Sequence, residues 1–93
     1  MIIGSCRITV YIPYAQSLKD KRQVVRRIKD RLRSRFNVAV AEVGELDWLQ
    51  RAEIGIVCVG NDQKYLNGIL SRALDMVNAT CDCEIGDVDM EFT

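Results

Sequence analysis

The chain has 93 residues, 48% of them apolar and 28% charged, with one proline, four cysteines and no histidine. That is room for one domain and not a second, with the ordinary composition of a globular and not a disordered chain, and no apolar run approaches the ~18 residues of a membrane span. The net charge of zero conceals a segregation: residues 1–36 hold ten Lys/Arg against two Asp (+8), and residues 37–93 hold three against eleven Asp/Glu (−8). Asymmetry of this kind points to a charged partner or to self-pairing.

Residues 2–12 alternate, with Cys6, Ile8, Val10 and Ile12 on one side and Ser5, Arg7, Thr9 and Tyr11 on the other. This is the period of a half-buried strand, and Pro13, lacking an amide hydrogen, ends it. Ser17 is placed to cap a helix, with Asp20 three residues on as in a capping box. Leu18, Val25, Ile28, Leu32 and Phe36 then cover one helical side. Residues 37–43 read as a second strand in which Val38 and Val40 face inward; continued alternation buries Glu42 too, where it is either desolvated or paired with an arginine such as Arg51. A turn over 44–50 carries Trp48, either folded back on the core or exposed as an interface anchor. Residues 52–60 form a third strand with Ile54, Ile56 and Cys58 inward. Asn61 caps a second helix, whose apolar side is Leu66, Ile69, Leu70, Ala73 and Val77. The last strand, 83–92, turns Val88, Met90 and Phe92 inward and Asp87, Asp89 and Glu91 outward, beside Arg7.

The order β-α-β-β-α-β predicts a ferredoxin-like α+β fold: one domain over 1–93, a four-stranded antiparallel sheet, and both helices on one face through right-handed crossovers.

Nine of the thirteen Lys/Arg residues lie between Lys19 and Arg35. Lys19, Arg22, Arg26, Lys29 and Arg33 fall within an arc of roughly 80°, at about 100° per residue. They form a stripe about 21 Å long at a rise of about 1.5 Å per residue. Such an array matches phosphates in spacing and sign, and neutralising a phosphate backbone is the usual first term in nucleic-acid affinity. Pairing with an acidic protein surface and a merely solvated face are the competing readings, although a solvated face would intersperse more acids than Asp20 and Asp30. The sheet is the poorer RNA surface: Tyr11 is the single outward aromatic on the first strand, and the third strand has none.

Catalytic features are sparse. Without histidine the commonest general base and imidazole ligand are missing. The turn Pro13–Gln16 contains no glycine, which disfavours a phosphate-cradling loop and the acylphosphatase chemistry this fold can support. Cys81 and Cys83 form a C-x-C, half of a closed zinc site. Reduced thiols, a cytoplasmic protein, no enzyme activity, no cofactor, no metal and no small-molecule substrate are the expectations.

The run Ala15-Gln16-Ser17-Leu18-Lys19-Asp20-Lys21-Arg22, with Arg35–Val38, Ala41–Val43, Gln50–Ala52 and Asn61-Asp62, resembles the YlxP-like family of small uncharacterised bacterial proteins. The resemblance spans essentially the whole chain and implies a ferredoxin-like fold in a bacterial cytosolic protein. Genes of that family tend to lie beside those for a translation initiation factor and a ribosome-binding factor, which implies work near the ribosome; no activity is established for it. Two departures stand out, the Asp47-Trp48-Leu49 order in the loop and the C-x-C. The expectation is therefore an accessory protein binding RNA or the ribosome through Lys19, Arg22, Arg26, Lys29 and Arg33. The alternative is a protein-interaction module or homodimer that uses the basic helix and the acidic or open sheet face.

Overall fold

A computed structural model describes residues 1–80 and 83–93. The elements follow the expected order: β1 (Ile2–Tyr11), α1 (Leu18–Arg35), β2 (Ala39–Gly44), β3 (Arg51–Gly60), α2 (Gln63–Ala79) and β4 (Glu84–Phe92). The sheet order is β2-β3-β1-β4 with every pair antiparallel. The central strands β1 and β3 pair over their full length, from Ile2 opposite Gly60 to Tyr11 opposite Arg51.

Residues opposite each other in the ladder share a sheet face. Cys6, Ile8 and Val10 on β1 therefore stand beside Ile56, Ile54 and Ala52 on β3, all buried beneath the helices. α1 adds Val24, Val25, Ile28 and Leu32 to this core, and α2 adds Leu66, Ile69, Leu70, Ala73 and Val77. The apolar side of α2 is the one its spacing dictates.

Ser17 caps α1 by accepting from the Asp20 amide at 3.1 Å. Asp20 reaches back to accept from the Gln16 amide at 3.0 Å, one residue before the cap. α2 differs from expectation: its N-cap is Asp62, which accepts from the Lys64 amide, and not Asn61. Both residue types serve there, so type alone leaves the boundary open by one position.

β4 also differs. Val88 pairs with Ile8, on the helix side, but stays 46% exposed because β4 is an edge strand that the helices only partly cover. Met90 and Phe92 do pack against the core. A register shift between Ile8 and Val10 breaks the β1–β4 ladder. There Gly86 leaves room for the Tyr11 ring, which any side chain at that position would strike.

Candidate nucleic-acid interface

α1 packs against β2, at one edge of the sheet, while the acidic strand β4 forms the other edge. Three strand-to-strand steps of about 4.8 Å, roughly 14 Å, thus separate the two edges. The charge segregation in the sequence becomes a separation in space.

All five predicted residues lie on one edge of α1. Lys19, Arg22, Arg26 and Arg33 are exposed and Lys29 is half-buried. The described ion pairs are Arg7–Glu53, Lys21–Glu42 and Arg51–Glu45, and none involves this stripe. Arg33 is anchored by a hydrogen bond from Nη2 to the Val40 carbonyl at 2.8 Å, which leaves its charge unneutralised. Asp20, the acid nearest the start of the stripe, is turned to the Gln16 amide. Lys19, Arg22, Arg26 and Lys29 have no ion-pair partner among the described residues.

Lys21 belongs to the same basic run but does something else. It is 1% exposed, in the middle of the apolar side of α1. Its Nζ sits 2.9 Å from Glu42 Oε2, donates to the Glu45 carbonyl at 2.7 Å, and approaches the Leu46 carbonyl at 3.4 Å. The partner of the inward Glu42 is therefore a lysine and not Arg51. Arg51 instead places Nε 2.7 Å from Glu45 Oε2. Both ion pairs are close in distance but off the hydrogen-bond axis, so their attraction is mainly Coulombic.

Trp48 is 59% exposed and does not fold back on the core. The Arg51 guanidinium lies 5.7 Å from the centre of its ring and the same distance from that of Tyr11, both within cation–π range. Trp48 and Arg51 are three residues apart at the start of β3, and Tyr11, distant in the chain, joins them through the β1–β3 register that sets it opposite Arg51.

A second cationic flank, not singled out from the sequence, faces α2. Arg31 and Arg35 line a shallow groove of about 240 Å³ with Ser34, Met76 and Ala79. On the open sheet face Arg7 pairs with Glu53 at 3.1 Å and not with the acids of β4, although Asp89 is its ladder partner. A depression of about 360 Å³ surrounds it, lined by Ser5, Gly55, Val57, Asp89 and Glu91 among others.

Cys83 is buried, with its thiol directed to the Val77 and Thr80 carbonyls at the end of α2. Cys81 lies outside the described residues, and with it the C-x-C as a pair. Burial raises the Cys58 thiol above its ordinary value of 9.0. Burial, with a smaller contribution from Asp89, raises Cys6. These thiols stay protonated near neutral pH and are poor nucleophiles. No grouping of three or more metal-ligating side chains occurs among the described residues. No helix there is long and apolar enough to cross a membrane.

Fold and surface together define a small ferredoxin-like α+β protein with a cationic edge on its first helix. The chain belongs to the family described as "Protein of unknown function (DUF503)", which matches residues 3–90. It is 35% identical over 78 residues to "Uncharacterized protein YlxP" of Bacillus subtilis (strain 168), covering 84% of this chain and 85% of that one. In structure it is similar to the de novo designed protein Foldit4, with a TM-score of 0.52 at 16% identity over 99% of this chain and 94% of that one, a likeness of fold alone.

Proposed function

We propose that this chain is a non-catalytic accessory protein of the cytoplasm that binds RNA, free or in the ribosome, through the outer edge of α1. The observation that carries the reading is the stripe itself: four cations without an internal carboxylate partner among the described residues and a fifth anchored with its charge unspent. Of the chain's other acids, Asp20 is engaged in capping, Glu42, Glu45 and Glu53 pair with Lys21, Arg51 and Arg7, and the acids of β4 lie on the opposite sheet edge; Asp30 is the one carboxylate beside the stripe on α1 itself, one acid against five cations. Holding like charges together costs a few tenths of a kcal/mol per close pair. An external polyanion recovers that cost and releases counterions.

Contacts to phosphates position a protein without reading sequence, so selectivity among RNAs is low. Five such contacts give a slope of about −4 in log affinity against log salt, a loss of about two orders of magnitude between 50 and 200 mM. Arg22 and Arg26 are the clean residues to change, because Arg33 also ties α1 to β2. Arg22→Glu with Arg26→Glu should weaken binding at least tenfold and flatten the slope by about 2. A titration of labelled RNA at several salt concentrations measures both. Undiminished binding by the double variant would remove α1 from the interface.

A second reading is favoured by one observation. The open sheet face exposes Ile3, Val43, Val57 and Val59, an apolar strip suited to a second copy of the chain. Light scattering at low and high salt tests it: an apolar dimer persists in salt, whereas one joining α1 to the acidic β4 edge loosens.

A further inference from the structure

We infer that Trp48 is a stacking platform for an unpaired base, so that the RNA held by α1 is single-stranded where it passes the β2–β3 loop. This rests on the RNA reading above and adds the conformation of the ligand.

An exposed tryptophan on a loop ordinarily has a choice of rotamers, and fixing it has a cost in entropy. Here the loop is tied down on every side. The buried Lys21 holds the Glu45 and Leu46 carbonyls. The Trp48 amide donates to the Glu45 carbonyl at 3.1 Å. Gln50 Nε2 bonds the Pro13 and Ala15 carbonyls at 3.2 Å each, and its own carbonyl accepts from the Ile12 amide. Glu45 adopts a positive φ of 58°, a strained conformation that these contacts retain.

The indole itself is braced. Arg51 stands between Trp48 and Tyr11, held by Glu45, and Tyr11 rests over Gly86. With a guanidinium against one face, the exposure of the ring belongs largely to the other face and the rim. An apolar, rigid, outward ring is what a nucleobase stacks on, whatever the base.

Location supplies the second argument. The Lys21 tether draws the loop against the first turns of α1, where Lys19 and Arg22 begin the stripe. A strand whose phosphates follow the stripe toward Lys19 is therefore led toward the end of α1 at which the loop is held.

Trp48 is the only tryptophan, so its emission reports the platform directly. Two RNAs make the test: a blunt duplex, and the same duplex with a short single-stranded extension. Both should bind by anisotropy of a labelled strand, and both should lose affinity in the Arg22→Glu/Arg26→Glu variant. Only the extended RNA should quench the indole, and it should bind about tenfold tighter than the blunt one. Trp48→Leu should remove that tenfold advantage while leaving duplex affinity unchanged, and Trp48→Tyr should restore part of it. Unchanged emission with extended RNA bound, or equal losses on both RNAs in Trp48→Leu, would overturn the platform and reassign Trp48 to a protein surface while the α1 reading stands. Failure of the wild-type chain to bind either RNA would overturn both.

Discussion

Lys21 occupies a position that a leucine would ordinarily fill, and the rest of the candidate site depends on it. On the wheel it lies between Ile28 and Leu32, the centre of the buried side, yet it sits in the most basic stretch of the chain and passes as one more surface cation. The legible signal was the conjunction of two misplaced charges: a lysine at a core position of α1 and a glutamate at an inward position of β2. Each alone is ambiguous; together they specify a buried pair. Removing one partner of such a pair costs several kcal/mol, because the other is left charged and poorly solvated, whereas replacing both with apolar residues is often nearly neutral. Glu42 keeps 17% of its side-chain exposure, which places the cost at the low end. Lys21→Met should lower stability by about 3 kcal/mol, and Lys21→Met with Glu42→Leu should recover at least half, both read from urea unfolding with unchanged m. Neither variant restores a donor for the Glu45 and Leu46 carbonyls, so in both the Trp48 emission should lose anisotropy even where stability returns.

Among the elements, legibility follows how many residues report the same period. α2 shows its buried side at five positions and all five are buried, although Gly68 interrupts it. β3 alternates cleanly because one face meets the helices and the other does not, and β1 does so except at Thr9, which is buried on the face away from the helices. β4 was harder to read: its alternation is equally clean, but an edge strand obeys the pattern with only partial burial, as Val88 shows. The loop over 45–50 was illegible for a different reason. Its order comes largely from Lys21 and Gln50 bonding across the fold, and no local pattern encodes contacts made at such sequence separation. Gly68 offers a test of how far α2 is limited by its own backbone. A Cβ there meets only Arg72 Nη1 at 3.5 Å, the far end of a flexible side chain. With the φ of an ordinary helical residue and space available, Gly68→Ala should stabilise the protein by about 0.5–1 kcal/mol, chiefly by restricting the unfolded chain. Thermal and urea unfolding should agree on the sign, and a loss of stability would mean that Gly68 is needed for close approach.

At the scale of the whole molecule, opposite charges balance in number and are kept apart in space, and this makes two salt responses run in opposite directions. Along the stripe, Lys19 and Arg22, Arg22 and Arg26, Arg26 and Lys29, and Lys29 and Arg33 are neighbours at three- or four-residue spacing on one helix edge. Each close pair costs a few tenths of a kcal/mol, together about 1 kcal/mol. Raising NaCl from about 0.02 to about 0.3 M shortens the Debye length from about 20 to about 6 Å and screens this repulsion. The compensating loss is small, because Arg7–Glu53 and Arg51–Glu45 are partly exposed and such pairs contribute little, while Lys21–Glu42 is too buried to be screened. The thermal midpoint should therefore rise by a few °C with salt, since about 1 kcal/mol is worth about 4–8 °C in a domain of this size. Over the same range RNA affinity should fall by orders of magnitude. A surface whose cations were paired with the chain's own carboxylates would behave otherwise, with both the midpoint and any affinity insensitive to salt or the midpoint falling. Arg22→Glu with Arg26→Glu provides the internal control: by breaking the run of like charges it should raise the low-salt midpoint and abolish the salt-induced gain while it weakens binding. A stripe that is costly to the folded chain and useful only to a polyanion predicts that combination of signs.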